Sequence, residues 1–268
     1  MHKTVLALLL FFCSFVRVSA QSWEVGGFLG SSGYMGDINP TRPYKFTDLA
    51  AGAQVKRNFD GYWSLRLNAV HGKMQGADRD SPDPAQRDRN LDFYSPLTEV
   101  SILTEFNFFK YQASVSKRYS PYLFAGVGGV MFNPKTLDQS GQERVLRTYR
   151  TEGQLPDEIY NPYAIAVPYG VGVKYNIKGN WNLIGEIGYR TVFSDYLDDV
   201  SGRYANPRGF DPESEQETIA IQLANRSISS PSADMEGIQR GDFRKRDTYM
   251  FAGISLTFTF VSSKCYSF

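Results

Sequence analysis

Residues 163–177 read YAIAVPYGVGVKYNI, and every second residue from Ile165 to Ile177 is apolar or aromatic. The residues between them are small or polar, and they include Gly170, Gly172 and Lys174. Because the side chains of a β-strand point alternately to its two faces, this period of two predicts a strand with one apolar and one mixed face.

The same alternation recurs along most of the chain. In residues 248–260, TYMFAGISLTFTF, it places Ile254, Leu256 and Phe258 on one face. Two further stretches, rich in glycine and aromatic residues, also resemble strands but leave the facing of their side chains ambiguous. The sequence therefore predicts eight strands, over 22–35, 48–58, 63–70, 98–108, 119–132, 163–177, 181–193 and 248–260.

The connections between these strands alternate in length. The short ones are a tight turn at Asp60-Gly61 and the segments 109–118 and 178–180. The long, polar ones are 36–47, 72–96, 133–162 and 194–247. Alternating short turns and long loops are typical of outer-membrane barrels, whose closed sheets satisfy every backbone hydrogen bond inside a bilayer. We therefore predict an all-β fold, an eight-stranded antiparallel transmembrane β-barrel of the outer membrane. Its long loops are expected to be extracellular, with short turns and both mature termini in the periplasm.

The N-terminus predicts export from the cytoplasm. Lys3 precedes an apolar run over residues 5–16, and Val18-Ser19-Ala20 ends it with small residues. This arrangement is typical of a cleaved secretory signal peptide, here residues 1–20, and it leaves residues 21–268 as one barrel domain. A net charge of +1 argues against a nucleic-acid partner. An aromatic content of 15% suits a barrel with aromatic girdles at its rims.

Charged residues on the mixed faces are expected to point into the barrel. Both signs occur among them, so ion pairs can satisfy the charges, and in an eight-stranded barrel side chains fill the interior. We therefore predict a plugged lumen without an aqueous pore. The predicted lumenal charge network consists of Arg66, Glu99, Glu105, Lys174, Glu186 and Arg190.

The sequence offers few groups for catalysis or for binding metals. His71, the single histidine of residues 21–268, continues the apolar parity of Trp63 and Leu65, so we expect it to face lipid at the outer rim. Zinc sites need several histidines or cysteines. We therefore predict that the protein is not an enzyme and has no cofactor.

Three clustered carboxylates, Asp195, Asp198 and Asp199, follow the strand predicted over 181–193. They have two interpretations, a calcium site or an acidic turn, because hard cations prefer carboxylate oxygens. Their spacing is not that of a known calcium-binding loop, and we assign no metal site.

Cys265 is the one cysteine outside the predicted signal peptide. A lone cysteine in an exported protein indicates either an intermolecular disulfide or a spare thiol, and both interpretations stay open.

Several motifs, in order along the chain, resemble the PorG family of Bacteroidota. The most specific is GYRTVFSDYLDDVS over 188–201. The others are YMGD over 34–37, RNL over 89–91, SPYLFAG over 120–126, FNPK over 132–135 and Cys265-Tyr266.

The resemblance implies a non-catalytic outer-membrane component of the type IX protein secretion system. Such a protein would anchor a periplasmic ring of PorK-type lipoprotein and PorN-type subunits, and its other partner would be outer-membrane lipid. If Cys265 forms an intermolecular disulfide, the PorK-type lipoprotein is the expected partner. Two alternatives stay open: an OmpA-like structural or adhesive barrel that acts through its surface loops, and a barrel enzyme that modifies lipid or peptide.

Overall fold

A computed structural model of the protein describes residues 22–111, 118–155, 157–206, 213–230, 235–242 and 244–260. The predicted signal peptide and Cys265 lie outside the described residues.

Eight long strands form the body of the molecule. They are β1 (Ser22–Met35), β2 (Phe46–Asn58), β3 (Trp63–Ala77), β4 (Asp92–Asn107), β5 (Tyr119–Phe132), β8 (Tyr163–Lys178), β9 (Trp181–Val192) and β10 (Thr248–Phe260). Two short strands, β6 (Lys135–Leu137) and β7 (Glu143–Val145), form a small hairpin after β5. Among the described residues, the α-helices are α1 (Pro84–Arg89) and α2 (Glu215–Ala224), and two short 3-10 helices span Asp78–Asp80 and Leu146–Tyr149.

The sheet closes on itself. Each long strand pairs in antiparallel fashion with two others, in the cyclic order β1, β2, β3, β4, β5, β8, β9, β10. The closing seam joins β1 to β10, from Trp23 opposite Phe260 to Met35 opposite Thr248. The predicted eight-stranded antiparallel barrel is therefore confirmed.

Short and long connections lie at opposite ends of the barrel. The short-turn end holds residues 59–62, 108–111, 118 and 179–180, and the long-loop end holds the described residues of 36–45, 78–91, 133–162 and 193–247. The predicted loop over 72–96 is wrong at both bounds, because β3 continues to Ala77 and β4 begins at Asp92. The lumenal side of this extension stays apolar, with Met74 and Phe93 buried. On the outer side Lys73 and Gln75 interrupt the apolar alternation from which the strand was predicted.

The outer face is apolar and carries aromatic residues near its ends. All three tryptophans, Trp23, Trp63 and Trp181, lie exposed on it next to the short turns. At the other end Tyr163 and Met131, which pair across β5 and β8, are also exposed. An apolar band with aromatic girdles is the surface that a membrane-spanning barrel presents to lipid.

Helices contribute only to the long loops. Asp83 caps α1 by accepting a hydrogen bond from the amide of Ala85, and Pro84 occupies its first position. No helix in the described part of the chain combines the length and the apolar character needed to cross a bilayer.

Candidate functional site: the charged lumen and the acidic cluster above it

The lower half of the lumen, towards the short turns, holds a connected network of charges. Lys56 Nζ lies 3.2 Å from both Glu24 and Glu105, and Lys174 Nζ donates a hydrogen bond of 2.6 Å to Glu105. On the other side of Glu105, Arg66 Nε is 3.1 Å from Oε1, close enough for an ion pair but poorly oriented for a hydrogen bond. Arg66 Nη1 also donates to Glu186 at 2.7 Å. Three cations therefore meet three carboxylates, and the network is electrically balanced.

A second, smaller ion pair lies nearer the long loops. Arg190 Nε donates to Glu99 Oε2 at 3.0 Å, and Tyr249 donates to the same oxygen at 2.7 Å. The guanidinium also lies 4.7 Å from the ring centre of Phe251. Leu103, which lies between Glu99 and Glu105 along β4, forms a buried apolar cluster in the lumen with Phe124 and Ile184.

The structure thus places all six predicted network residues in the lumen and joins them into two groups. Arg66, Glu105, Lys174 and Glu186 belong to the lower group, and Glu99 and Arg190 form the upper one. Sequence reasoning assigned no role to Glu24, because the glycines of β1 obscure which residues face inward. Sequence reasoning also missed the tyrosines that bind the lumenal carboxylates. Tyr122 donates a hydrogen bond of 2.6 Å to Glu186, as Tyr249 does to Glu99.

Both ends of the lumen are covered. At the short-turn end, Tyr111 donates a hydrogen bond of 2.6 Å to Asn182 Oδ1, and its amide donates to Gly61 at 2.9 Å. At the long-loop end, buried apolar side chains form a lid that joins the barrel to its loops. They include Met74, Phe93, Phe132, Leu197, Val200 and Leu223.

An acidic cluster lies within this lid. The carboxylates of Asp37, Asp198 and Asp247 each offer an oxygen within 4.8 Å of the others, and all three residues are buried. They come from the segment after β1, the segment after β9 and the residue before β10. Gly36 is required beside them, since a Cβ at that position would lie 2.1 Å from Asp247 Oδ1.

Hydrogen bonds hold each carboxylate of the cluster in place. Asp198 accepts from the hydroxyl of Tyr34 and, at 3.0 Å, from the amide of Val200. Asp247 accepts from the amide of Leu197 at 3.0 Å, and Asp37 accepts from the amide of Asp242.

Burial perturbs the acidity of these groups. It raises the pKa of Asp37 to about 7, and the nearby charges of Asp242 and Glu152 act in the same direction. Burial and mutual repulsion raise the pKa of Asp198 and of Asp247 well above the usual range. Asp195 is half-buried beside them, and burial raises its pKa to about 7. The negative charges of Asp37, Asp242 and Glu152 act in the same direction.

Two chemistries relieve such a concentration of negative charge, protonation and cation binding. Asp37, Asp198 and Asp247 are the residues that could hold a cation, since their oxygens have the hard character that Ca²⁺ or Mg²⁺ requires. Three carboxylates alone fall short of the six to eight oxygens around Ca²⁺.

The three carboxylates singled out in the sequence do not act together. Asp198 belongs to the cluster, whereas Asp199 points away and accepts hydrogen bonds from Thr151 at 2.5 Å and Tyr160 at 2.7 Å. Asp37 and Asp247 could have been suspected only from their positions at strand ends, because 210 residues separate them in the chain.

A buried ion pair within the long loops, Arg240 with Glu152, joins two of them. Arg240 donates to Glu152 at 3.0 Å and to the carbonyl of Asp199 at 2.7 Å. Glu152 in turn accepts from the amides of Ser201 and Gly202. The loops over 133–162 and 193–247 are thereby joined in one hydrogen-bonded unit.

His71 lies exposed on the outer face of β3, where its Nδ1 is 2.9 Å from the hydroxyl of Thr98. It is outside the lumen and on the opposite side of the barrel wall from the charge network.

Closed strands, an apolar outer face and a charged, filled lumen define the protein as a small β-barrel of the membrane-spanning type. A family model described as a domain of unknown function, DUF6089, matches residues 3–210. The chain belongs to this family. No curated protein is similar enough to the chain to count as a match.

Several solved outer-membrane barrels have a similar fold at low sequence identity. The N-terminal β-barrel domain of Pseudomonas aeruginosa OprF is 11% identical, with a TM-score of 0.37, over 91% of this chain and 100% of that one. Neisserial surface protein A is 8% identical, with a TM-score of 0.42, over 90% and 98%. A major outer membrane protein from Thermus thermophilus is 10% identical, with a TM-score of 0.45, over 90% and 100%.

Proposed function

We propose that the protein is a non-catalytic outer-membrane barrel that anchors the periplasmic ring of a type IX protein secretion system. The apolar outer face supports the membrane location, and the filled lumen supports a structural rather than a conducting role. In this proposal the short-turn end and both mature termini face the periplasm. There they would meet the PorK-type lipoprotein and PorN-type subunits.

The observation that carries the proposal is where residues 188–201 lie. This stretch bears the most specific resemblance to the PorG family, and it builds the junction between barrel and loops. Arg190 binds Glu99 in the lumen, and Asp198 enters the acidic cluster. Residues 188–201 thus combine two buried structural roles. A match over such a stretch supports common descent with the PorG family more strongly than a match over a single short motif would.

An OmpA-like structural or adhesive role is the second candidate. It is favoured by the ordered, hydrogen-bonded loops that Arg240 and Glu152 hold together at the long-loop end. Such a protein would act through its surface, and the barrel would serve as its support.

Deletion of the gene distinguishes the two. Loss of protein secretion, restored by the wild-type gene, is expected for the secretion component. Intact secretion with altered adhesion would contradict that role and favour the second candidate. The complementing gene should also be supplied as His71→Ala, because loss of secretion with an intact barrel would instead favour an enzyme.

A further inference from the structure

A groove runs along the outer wall where β2, β3 and β4 adjoin. It measures about 760 Å³ and lies beside the small side chain of Ala51. Leu29 and Leu49 border it on one side, and Tyr94 and Pro96 border it on the other. Its surface is almost entirely apolar, and it lies at the end of the outer face nearest the long loops.

The rim of this groove is basic. Lys73 and Lys135 line it together with His71, and no carboxylate among the described residues does. Lys73 Nζ lies 4.8 Å from the ring centre of Tyr94 and 3.8 Å from Asp48, too far for a hydrogen bond with that carboxylate. Lys135 is bound more tightly, at 2.6 Å, to Glu143. A lysine ammonium has three N–H donors, and each of these lysines contacts only one of the carboxylates that the structure describes, so both retain donors for an anion in the groove.

A polar cleft of about 380 Å³ continues the groove towards the long loops. The two share Tyr94 and follow the same strand, since His71 and Lys73 line the groove and Gln75 lines the cleft. At about 3.4 Å per residue, the Cα atoms of His71 and Gln75 are about 14 Å apart. Charged side chains of both signs line the cleft: Lys45, Arg79, Arg226, Asp80, Asp92 and Asp138.

The apolar groove, its basic rim and the polar cleft follow one another along a line. This order matches the apolar tail, the anionic group and the polar head of a single amphiphilic molecule. Acyl chains suit the groove, a phosphate suits the two lysines, and sugar hydroxyls, which donate and accept hydrogen bonds, suit a cleft with both signs of charge. We infer that this surface binds a phosphorylated glycolipid of the outer leaflet, with its acyl chains beside Ala51 and its phosphate at Lys73 and Lys135. The inference rests on the proposed outer-membrane placement, and not on the secretion role.

The test uses the full mature chain folded in detergent and native mass spectrometry to measure bound lipid. The probes are bisphosphorylated lipid A, the same lipid A stripped of its phosphates, and phosphatidylethanolamine. Wild-type protein should retain bisphosphorylated lipid A in preference to the other two. The double variant Lys73→Gln/Lys135→Gln should bind it about 30-fold more weakly, given about 1 kcal/mol for each lysine near an anionic surface. Lys178→Gln, at the short-turn end, is the matched control and should bind as the wild type does.

A second pair of variants tests the acyl-chain part of the groove. Ala51→Phe should fill it and lower binding, whereas Val171→Phe, on β8 diametrically across the barrel, should leave binding unchanged. The inference would be overturned if the double lysine variant retained as much lipid A as the wild type, or if Val171→Phe lost as much binding as Ala51→Phe. It would also be overturned if the chain formed a dimer in place of binding lipid.

Heat-modifiable migration on gels shows which variants have folded as barrels, so a variant that fails to fold is recognised before its binding is compared. A folded barrel without lipid preference overturns this inference alone. Wild-type protein that stays soluble without detergent overturns the membrane placement as well.

Discussion

Arg190 of β9 and Glu99 of β4 meet inside the barrel, with Nε and Oε2 3.0 Å apart. Two strands, β5 and β8, separate their strands in the sheet, so the pair crosses the lumen instead of following the wall. Removing one partner of a buried ion pair leaves the other charge uncompensated.

Arg190→Met should therefore lower the free energy of unfolding by about 3–5 kcal/mol. Urea unfolding in detergent, followed by tryptophan fluorescence, measures it. Lys45→Met, which breaks an exposed pair with Asp80 at 2.8 Å, is the control and should cost less than about 1 kcal/mol. Arg190→Met/Glu99→Met should recover part of the loss. If Arg190→Met and Lys45→Met lowered the free energy of unfolding equally, a special role for the lumenal pair would be contradicted.

The acidic cluster predicts that the long loops are held less firmly as pH rises. The pKa of Asp37 is about 7 in the folded loops, against about 3.9 for an unperturbed aspartate. The folded state therefore binds more protons than the open state, and its stability falls with increasing pH. The contribution of the cluster is fully present below about pH 4 and is lost as pH rises through about 7.

Limited proteolysis of the long loops at pH 5 and pH 9 measures this effect, with a chelator present so that no divalent cation offsets the charge. Cleavage should be faster at pH 9 in the wild type. Asp198→Asn and Asp247→Asn, which keep the shape but not the charge, should reduce the difference between the two pH values. Asp157→Asn, in a loop but outside the cluster, should not. Equal cleavage at both pH values would argue against the protonated cluster.

The filled lumen predicts negligible ion conductance. The lumenal ion pairs and the apolar side chains of Leu103, Phe124 and Ile184 are buried, and Tyr111 is hydrogen-bonded to Asn182 at the short-turn end, so we expect no room for a hydrated ion to pass. Planar bilayer recordings of the pure protein should show a flat baseline. Stable, large single-channel steps would contradict the packed interior.

The barrel should depend on detergent and migrate anomalously on gels. Unheated protein is expected to run at a different apparent mass from boiled protein, because a closed sheet resists unfolding by detergent at room temperature. Far-ultraviolet circular dichroism should be dominated by β-structure. Recovery from the periplasm in soluble form would contradict the membrane placement.

Cys265 supplies a test of the proposed ring contact. Under the proposed topology the tail that carries Cys265 faces the oxidising periplasm, where either an intermolecular disulfide or a spare thiol is possible. If the disulfide forms, its expected partner is the PorK-type lipoprotein, and non-reducing gels of outer membranes should show a heavier species that a reductant collapses and that Cys265→Ser abolishes. A monomer in the wild type, with normal secretion by Cys265→Ser, would contradict the bond.

Alternation of side chains, together with the alternating lengths of the connections, predicted the barrel. In β8 an apolar or aromatic residue at every second position from Ile165 to Ile177 corresponds to the outer face throughout. The same parity predicted that Lys174 points inward. It failed for β1, where Gly26, Gly27 and Gly30 carry no side chain that could mark a face.

The structure of the long loops could not be predicted from the alternation of side chains. Asp37, Asp198 and Asp247 converge only because three separate chain segments pack under one lid, and no local period records that packing. The pairing of Arg240 with Glu152 is of the same kind, since 88 residues separate them. Towards the long loops, Lys73 and Gln75 also interrupt the apolar alternation on the outer face of β3, which made the lower part of this strand recognisable.

The lumenal charges divide unequally between the two halves of the chain. β1 to β4 contribute Glu24, Lys56, Arg66, Glu99 and Glu105 to the network, whereas β8 and β9 contribute Lys174, Glu186 and Arg190. The first half therefore carries one excess negative charge and the second half one excess positive charge. During insertion into a bilayer, an open sheet made of either half alone would expose this imbalance to hydrocarbon. The two halves can cross the membrane at low energetic cost only together, so the ion pairs couple insertion to closure of the barrel.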